Sequence, residues 1–334
     1  MSELEEYAAC PYAHFIKYGI KPSENREYSF EADQRGIFYH AAMKAYIDEA
    51  KKNPDFPNID QKTIISVFNT TVQPLVDELK ETSLSESTLS RMELSEYVQT
   101  VRMSAIYVTY WLAKTKYMPR ECEMTFGKKD SKMPPLVLPL PNGHKVALAG
   151  SIDRVDVFTD QNGVEYGRVV DYKSSAHSLN KDDVEAGYQL QLPVYLSALI
   201  NANPGMKPAG AFYQQIANSP VETDSEDEND VRQKIMSSTK LNGMYLVEEG
   251  TELEKANGGS VKTSTRSKSI VALNESEMEN ILNASQAKAT EHAVNIENGK
   301  IEISPRKDGE KSACEYCKNR NLCMIENLKA FGGR

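Results

Sequence analysis

The stretch "KVALAGSIDRVDVFTDQNGVEYGRVVDYKSS" (145–175) constrains the fold most. Two runs rich in Val and Ile flank "TDQNG" (159–163), and such runs joined through Asn-Gly read as a hairpin. The β-branched lead-in of "VVDYKSS" reads as the end of a buried strand, yet it delivers Asp171 and Lys173. Side chains alternate along a strand, so these two project together, with Tyr172 opposite. Asp153, in "GSIDRVD", stands across the hairpin. Two carboxylates brought this close repel, and one pKa rises unless a cation lies between them. A hard divalent ion, Mg²⁺ (or Mn²⁺), resolves the conflict. A lysine beside that ion can orient the attacking water or stabilise charge on a phosphate, and the metal can acidify the water. The set fits phosphodiester hydrolysis. By itself the D-x-K triplet reads first as an exposed ion pair, worth about 0–1 kcal/mol; its weight comes from company.

The remaining patterns suggest an α/β core. "QRGIFYHAAMKAYIDEAKK" (34–52) is helical, with Ile37, His40, Met43 or Lys44, and Ile47 on one face. Residues 60–117 carry long helical patterns with a break at "SLSES", and "ECEMTFG" and "AGAFYQQI" (209–216) read as strands. "EAGYQLQLPVYLSALINA" is a helix that sets Gln191 and Tyr195 on one face. Pro193 between them costs a helix interior about 3 kcal/mol, which predicts a kink or a regular helix starting at Pro193. Residues 217–275 read as loop and insertion, then come a helix over 275–298, a short "IEIS" strand and a Cys-rich tail. The expectation is one domain over 1–334: an N-terminal Cys and His region (1–52), a helical insertion (60–117), a catalytic core (119–216), the insertion 217–275, and a C-terminal helix with the cysteine tail (276–334).

A net charge of -9 argues against broad nonspecific nucleic-acid binding but leaves room for a local basic channel. The N-terminus is acidic and lacks a long apolar run, which predicts a cytoplasmic protein with no membrane partner. Candidate phosphate contacts are Arg154, Lys128, Lys129, Lys132, Arg266 and Lys268. Three of the five cysteines give C-x-x-C-x₅-C as Cys314, Cys317 and Cys323, and Cys10 is the candidate fourth ligand from the other end of the chain. These residues allow zinc or an iron–sulfur cluster. Cys122 is left over as a buried thiol with no role.

Taken in order, "RGIFYHAAMK", "ECEMTFG", "GSIDRVD", "VVDYKSS", "GYQLQLPVY" and the cysteine pattern resemble the PD-(D/E)XK nucleases of the RecB type. Within them the closer likeness is to the nuclease region of AddB proteins of AddAB helicase–nucleases, over roughly residues 3–330. That resemblance implies a restriction-endonuclease-like mixed sheet flanked by helices, with a helical insertion and an iron–sulfur-stapled terminal region. It implies metal contacts from His40, Asp153, Asp171 and the Tyr172 carbonyl, with Lys173 as catalytic lysine and Gln191 and Tyr195 facing the site. Glu123 aligns with an acidic position of the family. Cys10, Cys314, Cys317 and Cys323 match the ligands of a [4Fe–4S] cluster, and this likeness puts iron–sulfur ahead of zinc. The implied function is Mg²⁺-dependent DNA exonuclease activity in double-strand break processing and recombinational repair. Its partners would be a threaded DNA single strand and an AddA-like helicase–nuclease. The chain carries no Walker A loop, so it reads as an isolated C-terminal domain or a short stand-alone relative. A CRISPR-associated or replication-type iron–sulfur nuclease of the same superfamily is the nearest alternative. The other is a non-catalytic module that binds DNA or the helicase partner.

Overall fold

A computed structural model describes residues 2–22, 32–81, 88–216, 227–247, 260–261, 271–308 and 311–324. A six-stranded sheet lies at the centre, in the order β1 (Met118–Phe126), β4 (Gly150–Thr159), β5 (Glu165–Lys173), β6 (Lys207–Gln215), β7 (Asn242–Leu246) and β8 (Val271–Leu273). Pairing is antiparallel from β1 to β5, parallel for β5–β6 and β7–β8, and antiparallel for β6–β7. The mixed sheet matches the expectation. β2 (Leu136–Pro139) and β3 (Lys145–Leu148) form a separate ribbon. "KVALAGSIDRVDVF" is therefore two strands parted at Ala149, and β2 is an element the sequence reading omitted.

The hairpin is as read from "TDQNG". Thr159 pairs with Glu165. Asp160 Oδ1 accepts from the amides of Asn162 and Val164 at 2.8 Å each, and Gly163 supplies a φ of +82°.

Adjacent residues of β5 divide the core. Three short helices, α1 (Ser2–Ala9), α2 (Pro11–His14) and α6 (Lys181–Glu185), accompany the longer ones. Val169 packs with helix α7 (Gln191–Ala202) and helix α9 (Glu275–Glu297), whereas Val170 packs with α3 (Ala32–Ala50), α4 (Gln61–Glu81) and α5 (Thr88–Leu112). Met43, Ile47 and Phe68 are completely buried in the second layer. Each such side chain contributes about 1.5–3 kcal/mol by leaving water. Ile37 departs from the expected stripe: it is 70% exposed, because α3 there extends past the core.

Three further expectations are corrected. The stretch 217–275 is more than loop and insertion: its described residues include α8 (Glu228–Ser238) and supply β7 and β8 to the central sheet. "IEIS" forms no strand; the nearby pairing is a two-residue ribbon, Lys307–Asp308 with Lys311–Ser312. Pro193 makes neither a kink nor a helix start. Helix α7 begins at Gln191, so Pro193 lies in the first turn, where no amide has an intrahelical acceptor to lose. The "SLSES" break lies outside the described residues. Among the described residues no helix is long and apolar enough to cross a membrane.

Candidate active site

Asp153 lies on β4 and Asp171 on β5, one step beyond the pairing of Arg154 with Val170. Asp153 Oδ2 accepts from the Tyr172 amide at 2.6 Å. Lys173 Nζ lies 2.6 Å from Asp171 Oδ2, as the alternation of the strand requires. His40, reaching in from α3, places Nδ1 3.2 Å from Asp153 Oδ1 and 3.6 Å from Glu123 Oε1. Among the described residues, His40, Glu123 and Asp153 form the one group of three such ligand atoms within 4.8 Å of one another.

Glu123 thus joins the site. It sits on β1 between Cys122, paired with Arg154, and Met124, paired with Ile152. Its φ is +50°, a left-handed conformation that costs a residue other than glycine of order 1–3 kcal/mol. Ser151 Oγ donates to its second oxygen at 2.8 Å.

Gln191 and Tyr195 arrive together from α7. Gln191 Nε2 donates to Asp171 Oδ1 at 2.7 Å and to Tyr195 Oη at 3.4 Å, while Gln191 Oε1 accepts from Lys173 Nζ at 3.4 Å. Gly150 makes room for Tyr195: a Cβ there would stand 2.8 Å from the rings of both Phe126 and Tyr195.

Electrostatics follow from burial and crowding. Burial, and then the charge of Asp153, raise the Asp171 pKa to about 7 against the pull of Lys173 and His40. Burial alone would lower the His40 pKa, but its hydrogen bonds to Asp153 and Glu123 dominate and raise it to about 10. Burial pushes Glu123 upward, and the contacts with His40 and Ser151 more than reverse this. The imidazolium is thereby the cation that the acids require.

Behind the site lies a buried network. Arg154 gives Nε to Asp156 at 2.7 Å and Nη1 to Tyr172 Oη at 2.7 Å and Gln214 Oε1 at 2.9 Å; Arg168 Nε reaches Asp156 at 3.1 Å. Arg154 is 1% exposed, which corrects its assignment as a phosphate contact: it points into the core. Lys128 and Lys129 are exposed, and Lys132, also exposed, pairs with Glu121 at 2.7 Å. Arg266 and Lys268 lie outside the described residues.

The chain ends form a second centre. Cys10, Cys314, Cys317 and Cys323 line one cavity of about 490 Å³ together with Lys17 and Arg320. Cys122 is distant from this group in the fold, buried beside Val170 and Tyr172, with its thiol pushed up to about 12 by burial. One contributor escaped the sequence reading. Glu5 accepts the amides of Leu190 and Gln191 at 2.7 and 2.8 Å. The available signal was that Leu190, just before Gln191, has no side chain that can cap α7.

A mixed sheet presenting paired acids and a lysine across one hairpin defines a class. The chain belongs to the PD-(D/E)XK nuclease superfamily, whose family model matches residues 1–324. It is similar to the AddB chain of the ATP-dependent helicase/deoxyribonuclease of Thermoanaerobacter sp. (strain X514), 31% identical over 345 residues, 98% of this chain and 30% of that protein. The protein of the same name from Caldanaerobacter subterraneus subsp. tengcongensis is 30% identical over 98% of this chain and 29% of its own length. That from Alkaliphilus metalliredigens is 28% identical, again over 98% of this chain and 30% of its own length. The chain therefore spans about 30% of the curated relatives it matches.

Proposed function

We propose that this chain is the nuclease domain of an AddB-type helicase–nuclease, cutting DNA in double-strand break repair in the cytoplasm beside an AddA-like partner. The observation that carries the reading is the convergence of Glu123, Asp153, Asp171, His40 and Lys173 on one site. The names of the relatives support helicase–nuclease work over the CRISPR-associated and non-catalytic alternatives.

The donor set suits a hard divalent ion such as Mg²⁺. His40, Glu123 and Asp153 would hold it, with Asp171 adjoining. The Tyr172 amide points to Asp153, and a strand residue turns its carbonyl to the same side, which supports the Tyr172 carbonyl as a further ligand. Bound there, the ion supplies Lewis acidity toward the phosphate and acidifies water. His40 must give up its proton to serve as a ligand. Lys173, held by Asp171 and Gln191, presents its ammonium to the attacking water or to charge building on the phosphate. Tyr195 and Gln191 keep Asp171 oriented.

At the four-cysteine cavity we favour a [4Fe–4S] cluster. Zinc with about 2.3 Å bonds draws four sulfurs to within about 4 Å of one another. No three of the cysteine sulfurs come within 4.8 Å here, and a multi-iron cluster accommodates the wider set.

The test is hydrolysis of single-stranded DNA with Mg²⁺ after purification without oxygen, for wild type and Lys173→Ala. Hydrolysis from strand ends by the wild type, abolished in the variant, is the expected result. Equal activity in both would remove the assignment. A colourless protein would favour zinc.

A further inference from the structure

Helix α7 begins without a cap of its own. Its N-cap is Leu190, an apolar side chain that makes no capping hydrogen bond. The first amides of a helix need an acceptor from elsewhere. Glu5, on helix α1, provides one oxygen for two of them, Leu190 N at 2.7 Å and Gln191 N at 2.8 Å. A carboxylate at that end also meets the positive pole of the helix. Burial raises the Glu5 pKa even though both amides and Lys173 pull it down.

What Glu5 holds is the first residue of α7, at the end where helices fray. From there Gln191 donates to Asp171 and accepts from Lys173. One amide side chain makes both contacts only if its backbone stays fixed. The same α1 runs straight into the cysteine cavity. Cys10 N donates to Glu6 O at 3.0 Å, and Arg306 N ties the C-terminal tail to Ala9 O at 2.8 Å. Helix α1 therefore spans from the cavity to the catalytic lysine's neighbour.

We propose that Glu5 is a positioning residue of the active site: it fixes the first turn of α7 so that Gln191 clamps Asp171 and Lys173, and through it the state of the cysteine cavity reaches catalysis. The proposal rests on the nuclease reading above. Glu5 spends its carboxylate on backbone amides and touches no reacting atom.

Two measurements on the 334-residue chain test it: single-stranded DNA turnover, and hydrogen exchange over residues 186–196. Glu5→Gln keeps an acceptor oxygen, so turnover stays within about threefold of wild type, neutral bonds being roughly half as strong as charged ones. Glu5→Ala removes the cap. Its kcat falls about 10- to 100-fold with KM little changed, as slight misplacement of catalytic groups does, and the 190–191 amides exchange faster. In a Gln191→Ala background Glu5→Ala costs nothing further, because both act on one contact. Additive losses, or a folded Glu5→Gln as slow as Glu5→Ala, overturn the proposal. Should Glu5→Ala not fold, Glu5→Gln decides alone: active sustains it, folded and inactive overturns it. If the wild type cleaves no DNA, the nuclease reading fails and exchange still judges the cap: faster exchange in Glu5→Ala sustains it, unchanged exchange overturns it. Cys317→Ala should speed exchange over 186–196; unchanged exchange there overturns the link to the cavity.

Discussion

At the carboxylate site, three strands and two helices bring five charged side chains together, and His40 and Lys173 balance the acids within the chain. At the cysteine cavity, four thiols from opposite ends of the chain surround about 490 Å³, backed by one short helix and a two-residue ribbon. The first centre is assembled by the register of a buried sheet. The second has little packed structure to hold it, so its geometry depends on what the thiols bind. One chain can thus carry both a preorganised catalytic site and a ligand-dependent staple. Helix α1 joins the two.

The largest effect expected is at the staple. A crosslink closing a loop from Cys10 to Cys314 is worth about 5–6 kcal/mol by chain entropy, comparable with a domain's whole net stability. Cys317→Ala should lose the brown visible absorption and melt far lower. An unchanged melting curve would break the contrast, making both centres equally preorganised. Next comes Lys173→Ala, with turnover down about 10²- to 10³-fold, the scale of losing one electrostatic stabiliser. Its visible absorption should match wild type; a bleached spectrum would mean that damage also passes from the site to the staple.

A smaller effect is expected from Gly150→Ala. The added methyl must displace the rings of Phe126 or Tyr195, an overpacking cost of about 1–3 kcal/mol. Melting should fall modestly and turnover more, because Tyr195 moves off Gln191. Turnover equal to wild type would deny Tyr195 a part in the site. The smallest effect concerns pH. His40 is raised to about 10 in the fold, so its contribution is complete below its ordinary value and is lost as pH rises through about 10. Asp171, raised to about 7, likewise favours the folded state more at lower pH and loses that contribution as pH rises through about 7. Metal-free protein should therefore melt progressively lower from neutral pH toward about 10, and His40→Gln should flatten the alkaline part of that slope. Parallel slopes for the two proteins would remove the imidazolium from the balance. Titration with Mg²⁺ at neutral pH should release a proton, read from the buffer dependence of the binding heat.

Much of this was legible because it depends on local periodicity. Asp171 and Lys173 share a face because strands alternate, and Gln191 and Tyr195 share one because helices return every three or four residues. The hairpin through "TDQNG" put Asp153 beside Asp171. Other parts had no local signal. Glu123 takes a left-handed backbone that no periodic rule anticipates. Arg154 looks like a surface cation in sequence, yet it lies in the core because Asp156, Tyr172 and Gln214 satisfy it there. Strands β7 and β8 are short and sit among polar stretches, so only their pairing with β6 and with each other identifies them.

Local order in the chain was enough to set the central hairpin, the acid–lysine motif, the helix bearing Gln191 and Tyr195, and the presence of cysteines at both ends. These are properties of neighbours along the chain, fixed by alternation, β-branching and turn chemistry. Tertiary packing alone made His40 balance Asp153 and Glu123, let Glu5 cap a helix 185 residues away, and turned four cysteines to one cavity. Those are contacts between segments distant in the chain. They form only because burying both faces of the sheet leaves each polar group to find its partner wherever the packing brings one.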